Sequence, residues 1–102
     1  MKTTLIGSLL LALALPVVAS AHGAATYKAK CVGCHGPDGG GNVPMGKDLK
    51  VKDLRSDKVQ RQTDLELTKV IAGGRGKMPP YGRKLSAAEI QSTIAFIRTL
   101  KN

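Results

Sequence analysis

The chain has 102 residues, with 16 Lys and Arg against 7 Asp and Glu for a formal charge of +9, and its aromatic content is one Phe, two Tyr and no Trp. A chain this short holds a single domain close to the size at which a core is marginal, and with so few rings its own side chains supply little large aromatic surface. Basic charge that is not interleaved with aromatic residues lacks the pattern of a nucleic-acid-binding surface.

The N-terminus reads as an export signal. Lys2 precedes the apolar stretch Leu5 to Leu15, Pro16 breaks it, and Ala19-Ser20-Ala21 has the small-x-small form of a secretory cleavage site. The apolar run is shorter than the roughly 20 residues that span a bilayer, so no stable membrane insertion is expected. Residues 1–21 are therefore read as a cleaved signal peptide and residues 22–102 as the domain, which in a bacterium is periplasmic. Taking Lys2 from the 16 basic residues leaves 15 against 7 acidic ones, a charge near +8.

Helical signals dominate the remainder of the chain. Gly23 to Lys30 reads as a helix with Gly23, Tyr27 and Cys31 spaced four apart on one face. It runs into Cys31-Val32-Gly33-Cys34-His35, a C-x-x-C-H motif, which is the sequence at which haem is attached covalently. The spacing has a chemical reason. Two thiols three positions apart on one helical turn reach the two vinyl groups of one porphyrin, and the adjacent imidazole reaches its iron. A thioredoxin-like thiol pair would need a βαβ context, and no strand-like run lies near the motif. A closed zinc site would need four protein ligands, and residues 22–102 offer only Cys31, Cys34, His35 and the terminal His22. A plain disulfide between the two cysteines leaves His35 without a role.

Gly36 to Gly46 reads as a Gly- and Pro-rich loop, and Ser56 to Gln60 as a short helical turn. Thr63-Asp64-Leu65-Glu66 is a capping box that opens a helix through Leu67, Val70 and Ile71, with Gly73-Gly74 as its stop. Gly76 to Gly82 reads as extended. A second capping box, Ser86-Ala87-Ala88-Glu89, opens a helix with the apolar stripe Ile90, Ile94 and Ile97, flanked by Phe96 and Leu100. The fold class expected is all-α, with the terminal helices crossing and the haem at the centre of the core. Protein without haem is then expected to be largely unfolded, because a group that binds only the folded state stabilises it.

The sixth position on the iron has three candidates downstream of the signal: His22, Met45 and Met78. Met78 lies in Gly76-Lys77-Met78-Pro79-Pro80-Tyr81, where two prolines stiffen the segment that presents the thioether. Met45 comes only ten residues after His35 and is expected to stay on the proximal side, so Met78 is the expected distal ligand. His and Met together are a known cytochrome ligand pair.

From Gly23 to Lys101 the chain resembles small bacterial class I cytochromes c, on the strength of Gly23/Tyr27/Cys31, the C-V-G-C-H-G block, the loop ending at Pro44, the G-K-M-P-P segment and the last helix with Ile94, Phe96, Ile97 and Arg98. The resemblance implies three to five short helices around one covalent haem c, Cys31 and Cys34 as its attachment points, and His35 and Met78 as its axial ligands. It further implies that Phe96 packs over Gly23 and Tyr27, and that the Pro44 carbonyl accepts the free N–H of the proximal imidazole. Family members often place an aromatic ring near the haem propionates; this chain has no Trp, which leaves Tyr81 for that place.

With both axial positions filled by protein, substrate has no open site on the iron. The expected function is one-electron carriage between redox partners, as a monomer without enzymatic activity. Lys28, Lys30, Arg75, Lys77, Arg83 and Lys84 flank the ligand segments and form a rim suited to a partner with an acidic docking surface. Two other functions share the motif: a haem-based sensor that binds small ligands in place of Met78, and a dedicated electron-accepting subunit of a dehydrogenase or oxidase.

Overall fold

The computed structural model describes residue 7 and residues 16–101, so the first part of the stretch read as a signal peptide lies outside the described residues. Six helical segments and no strand occur among the described residues: α1 (Pro16–Lys30), α2 (Val32–His35), α3 (Pro44–Leu49), α4 (Asp57–Gln60), α5 (Asp64–Gly73) and α6 (Ala87–Thr99). The all-α class is as expected. Six segments exceed the expected three to five because the haem motif and the loop after it each contribute a short one.

The described part of helix α1 begins ahead of Gly23 and includes Pro16. The expected loop from Gly36 to Gly46 is shortened: Val43 is extended and Pro44 opens α3, where a proline has no N–H to lose in the first helical turn. Lys50 closes α3 in the left-handed region at φ 51°, a position where glycine is usual. Both capping boxes form as read. Thr63 and Ser86 accept from the backbone N–H of Glu66 and Glu89, whose carboxylates accept in return from the N-cap backbone.

The two terminal helices make the main contact of the fold. A Cβ on Gly23 would strike the Ser92 carbonyl, so only glycine lets α1 approach α6 this closely. One turn further on, the Tyr27 and Phe96 rings meet with centroids 5.0 Å apart and planes tilted by 50°, a favourable aromatic geometry. Phe96 thus packs on Tyr27 as implied, and Gly23 packs against the Ser92 backbone one turn earlier on α6. Tyr27, Val59, Leu67, Ile71, Leu85, Ile90, Ile94 and Ile97 form the buried core.

Helix α6 also fastens the middle of the chain. The Arg98 guanidinium donates to the carbonyls of Gln60 at 2.9 Å and Gln62 at 2.6 Å and pairs with Asp64 at 2.8 Å. The Gln60 amide donates to the carbonyls of Leu54 at 2.7 Å and Ile97 at 3.1 Å. The carbonyls of Leu54, Gln60 and Gln62 are thus capped by side chains across the fold, while that of Ile97 also accepts the Leu100 N–H at 3.0 Å.

Candidate functional site

The cysteine motif is held by α1. The Cys31 N–H donates to the Tyr27 carbonyl at 2.8 Å and the His35 N–H to the Cys31 carbonyl at 2.9 Å, so helical bonding carries on into α2. Both thiols therefore sit on one helical turn. The chain then reverses at Gly36, whose φ of 78° favours glycine. Helix α3 lies directly on α2, because a Cβ on Gly46 would strike the carbonyls of Cys34 and Gly41.

Met78 arrives on a segment pinned by backbone bonds. Arg75 and Met78 exchange N–H···O bonds at 3.1 and 2.9 Å, and the N–H groups of Tyr81 and Gly82 donate to the carbonyls of Ile71 and Ala72 at 2.9 and 3.0 Å. Pro79 and Pro80, which have no N–H to satisfy, fill the span between these anchors. Gly74, at φ 75°, lets the chain leave α5 toward this turn.

These pieces enclose one cavity of about 270 Å³. Cys31, Cys34, His35 and Met78 all line it, with an apolar wall that includes Val59, Leu67, Ile71 and Ile97. Since those four aliphatic residues belong to the buried core, the cavity lies at the centre of the fold, not at its edge. Apolar lining with a few convergent polar groups is the usual character of a cofactor site.

The chemistry of the sulfur and nitrogen donors fits this setting. Burial, and secondarily the neighbouring Cys34, pushes the free Cys31 thiol up to about 11. A thiol so raised is a poor nucleophile at neutral pH, opposite to the lowered value that thiol-disulfide exchange uses. Burial lowers the His35 imidazole below its usual value, with the Lys52 backbone working weakly against it. That favours the neutral ring, which is the form that binds a metal. Among the described residues no group of three His, Cys, Asp or Glu side chains converges into an all-protein metal site.

One implied contact is not formed among the described residues. The Pro44 carbonyl does not accept from His35: the buried Nδ1 has no hydrogen-bond partner among the described residues. Pro44 is the first residue of α3, where a carbonyl points along the axis toward the N–H four residues on. Met45 does not line the cavity; its side chain is 54% exposed and its sulfur lies 3.4 Å from that of Cys34. Tyr81 lines the cavity, but its hydroxyl donates to the Lys30 carbonyl at 3.2 Å and its ring carries the Lys84 ammonium 5.5 Å from the centroid.

Charge around the cavity has one sign. Lys30, Arg75 and Lys77 line it as expected from their places beside the ligand segments, whereas Lys28, Arg83 and Lys84 do not. Lys50 and Lys52 also line it and were missed, because the segment after α3 reaches the cavity through the tertiary fold. The Leu-Lys-Val-Lys alternation at 49–52 was the available signal, since all four of those residues border the cavity. No acidic residue does. Asp38 and Asp53 pair with Arg55, Asp64 pairs with Arg98, and Glu66 and Glu89 cap helices.

Comparison with known proteins agrees with this geometry. The family described as "Cytochrome C oxidase, cbb3-type, subunit III" matches residues 18–97. Cytochrome c6 of Aphanizomenon flos-aquae is 36% identical over 76 residues, covering 74% of this chain and 83% of that protein. The cytochrome c subunit of a quinone alcohol dehydrogenase from Gluconacetobacter polyoxogenes is also 36% identical, but this chain spans only 19% of its length. The solved structure of KustC0563, a c-type cytochrome, superposes with a TM-score of 0.73 at 26% identity and covers 78% of this chain and 98% of its own. No helix among the described residues is long and apolar enough to cross a membrane. A helical fold closed around one apolar cavity, with C-x-x-C-H on its wall and these relatives, places the chain in the class I c-type cytochromes, mono-haem electron carriers with covalently bound haem c.

Proposed function

We propose that Cys31 and Cys34 form the thioether links to the haem, that His35 and Met78 are its axial ligands, and that the protein shuttles electrons between redox partners in the periplasm. The observation that carries this reading is the convergence of all four side chains on one cavity. When bound, the haem supplies a one-electron change between ferric and ferrous iron. The protein's own part is to hold it dry and six-coordinate. The core aliphatic residues exclude water, and the pinned Arg75–Met78 turn presents the thioether without a flexible search. A soft thioether ligand and a low-dielectric surround both favour the ferrous state, so a higher potential than that of a bis-His haem is expected.

Because both axial positions are taken by protein, the iron has no substrate site and the protein no enzymatic reaction. The cationic lining favours a partner with an acidic docking surface, approached at a rate that falls with salt. The protein works as a monomer, exported by its N-terminal signal. The match to a dehydrogenase cytochrome subunit supports a second reading, in which this chain accepts electrons from one dedicated enzyme. Co-purification of a dehydrogenase would decide for that second reading. A sensor would release Met78 readily and lack the Met-to-iron charge-transfer band at the red edge of the ferric spectrum.

The test is a pyridine haemochrome spectrum of the exported protein followed by a redox titration. A c-type spectrum and a single one-electron wave are expected. Pigment that extracts into acidic organic solvent would overturn the covalent assignment.

A further inference from the structure

Helix α1 ends at Lys30, and the bonding that carries on into α2 leaves one carbonyl over. The Cys34 N–H turns to the Cys31 carbonyl at 3.3 Å, three residues back, instead of to Lys30 four back, so the Lys30 carbonyl receives no backbone N–H among the described residues. Its partner comes from the Met78 segment: the Tyr81 hydroxyl donates to it at 3.2 Å, across 51 positions of sequence. Lys30 stands one residue before Cys31 and Tyr81 three after Met78, and all four line the cavity. Of the hydrogen bonds made by residues 75–82 among the described residues, this one alone crosses to the chain that carries the cysteine motif. The others join the segment to itself, to the carbonyls of Ile71 and Ala72 on α5, or to the N–H groups of Lys84 and Leu85.

We propose that the Tyr81 hydroxyl is a latch that keeps Met78 on the iron: by tying the Met78 segment to the end of α1 it sets how often the thioether leaves and how readily a small neutral nitrogen ligand takes the sixth position. The proposal deepens the carrier reading and rests on Met78 being the distal ligand. Tyr81 is a positioning residue, acting through the backbone of its segment and not on the iron itself. The hydroxyl is separable from the ring. The Tyr81 backbone is fixed by the Ile71 carbonyl and by the N–H groups of Lys84 and Leu85, and the ring keeps the Lys84 ammonium 5.5 Å from its centroid. A phenylalanine would therefore hold the same place and lose only the latch. With the bond made, the two segments that border the cavity move together; without it, the Met78 segment keeps only its hydrogen bonds to itself, α5 and the residues that follow, and its excursions from the motif become more frequent.

The experiment mixes ferric holoprotein with rising concentrations of imidazole in a stopped-flow spectrometer. The binding rate of the wild type is expected to level off at high imidazole, because release of Met78 then limits it. Tyr81→Phe should raise that plateau roughly five-fold, the scale of one net hydrogen bond, while the Met-to-iron charge-transfer band and the potential stay as in wild type. Gln91→Ala is the control. It removes an exposed bond between α6 and α5, from Gln91 to Thr68 at 2.9 Å, and neither residue lines the cavity, so its plateau should match wild type. The proposal is overturned if Tyr81→Phe leaves the plateau unchanged or if Gln91→Ala raises it equally. Loss of the charge-transfer band in Tyr81→Phe would also overturn it, because the hydroxyl would then shape the resting ligation and not its opening. Failure of the distal assignment would appear separately, in a wild type that lacks the band and binds imidazole in direct proportion to its concentration, and the latch would fall with it.

Discussion

The buried Tyr27 hydroxyl donates to the Gly36 carbonyl at 2.6 Å, tying the first helix to the residue after the motif imidazole. Burial raises the phenol well above its ordinary value, so it remains a donor throughout the accessible pH range. Tyr27→Phe would keep the ring against Phe96 and delete only this bond. The Gly36 carbonyl would retain the Gly39 N–H at 3.2 Å, which limits the loss to about 1 kcal/mol. A lowered urea midpoint with an unchanged slope is the expected signature.

Gly23→Ala should cost much more. Its methyl would collide with the Ser92 backbone, which cannot rotate aside as a flexible side chain would. Prising α1 from α6 also disturbs Tyr27 and Phe96, so a loss of about 3 kcal/mol is expected, at the upper end for overpacking. A thermal melt of the holoprotein within a few degrees of wild type would show that the helices separate cheaply.

Met78→Ala should leave a covalent haem protein with altered visible bands and a lowered potential, because the soft ligand that favours ferrous iron is gone. Met45→Ala should leave both unchanged. Optical redox titration of the two variants, side by side, decides the distal assignment: the reverse pattern would move it to Met45.

Cys31→Ser/Cys34→Ser removes both proposed attachment points. Since Val59, Leu67, Ile71 and Ile97 border the cavity and also make up half of the buried hydrophobic core, protein without haem should lose most of its helical circular dichroism. A cooperative melt in the haem-free double variant would show that the aliphatic contacts suffice alone.

Acid should weaken the fold through its carboxylate caps. The Ser86 backbone and hydroxyl hold Glu89 below its usual value, and the Arg55 side chain and backbone do the same for Asp53. A depressed folded-state value means that unfolding takes up protons, so this stability is present above the ordinary carboxylate values near 4 and is lost as pH falls through the folded ones. Melting temperature should therefore hold from pH 7 to about pH 5 and decline below that. Glu89→Gln keeps a capping acceptor without the ionisation and should flatten part of the decline.

Local signals were legible in the sequence. Both capping boxes, the apolar stripe of α6 and the helical turn carrying Cys31 and Cys34 depend on residues within one or two turns, and each forms as read. The segments that carry His35 and Met78 also arrive at one cavity. What the sequence hid depends on through-space neighbours. Helix α3 was concealed because its glycine, ordinarily a helix breaker, is required by the carbonyls of Cys34 and Gly41. Lys50 and Lys52 reach the cavity only because α3 turns the chain back, and the expected Pro44 acceptor failed because that carbonyl belongs to a helix.

Arg98 binds three chain positions between Gln60 and Asp64, and it lies in a helix made after residues 31–35. Until Arg98 docks, the wall formed by the middle segments has no latch. A bulky planar group can thus be joined to an open N-terminal arm first and wrapped afterwards, so that the order of synthesis and the order of assembly coincide.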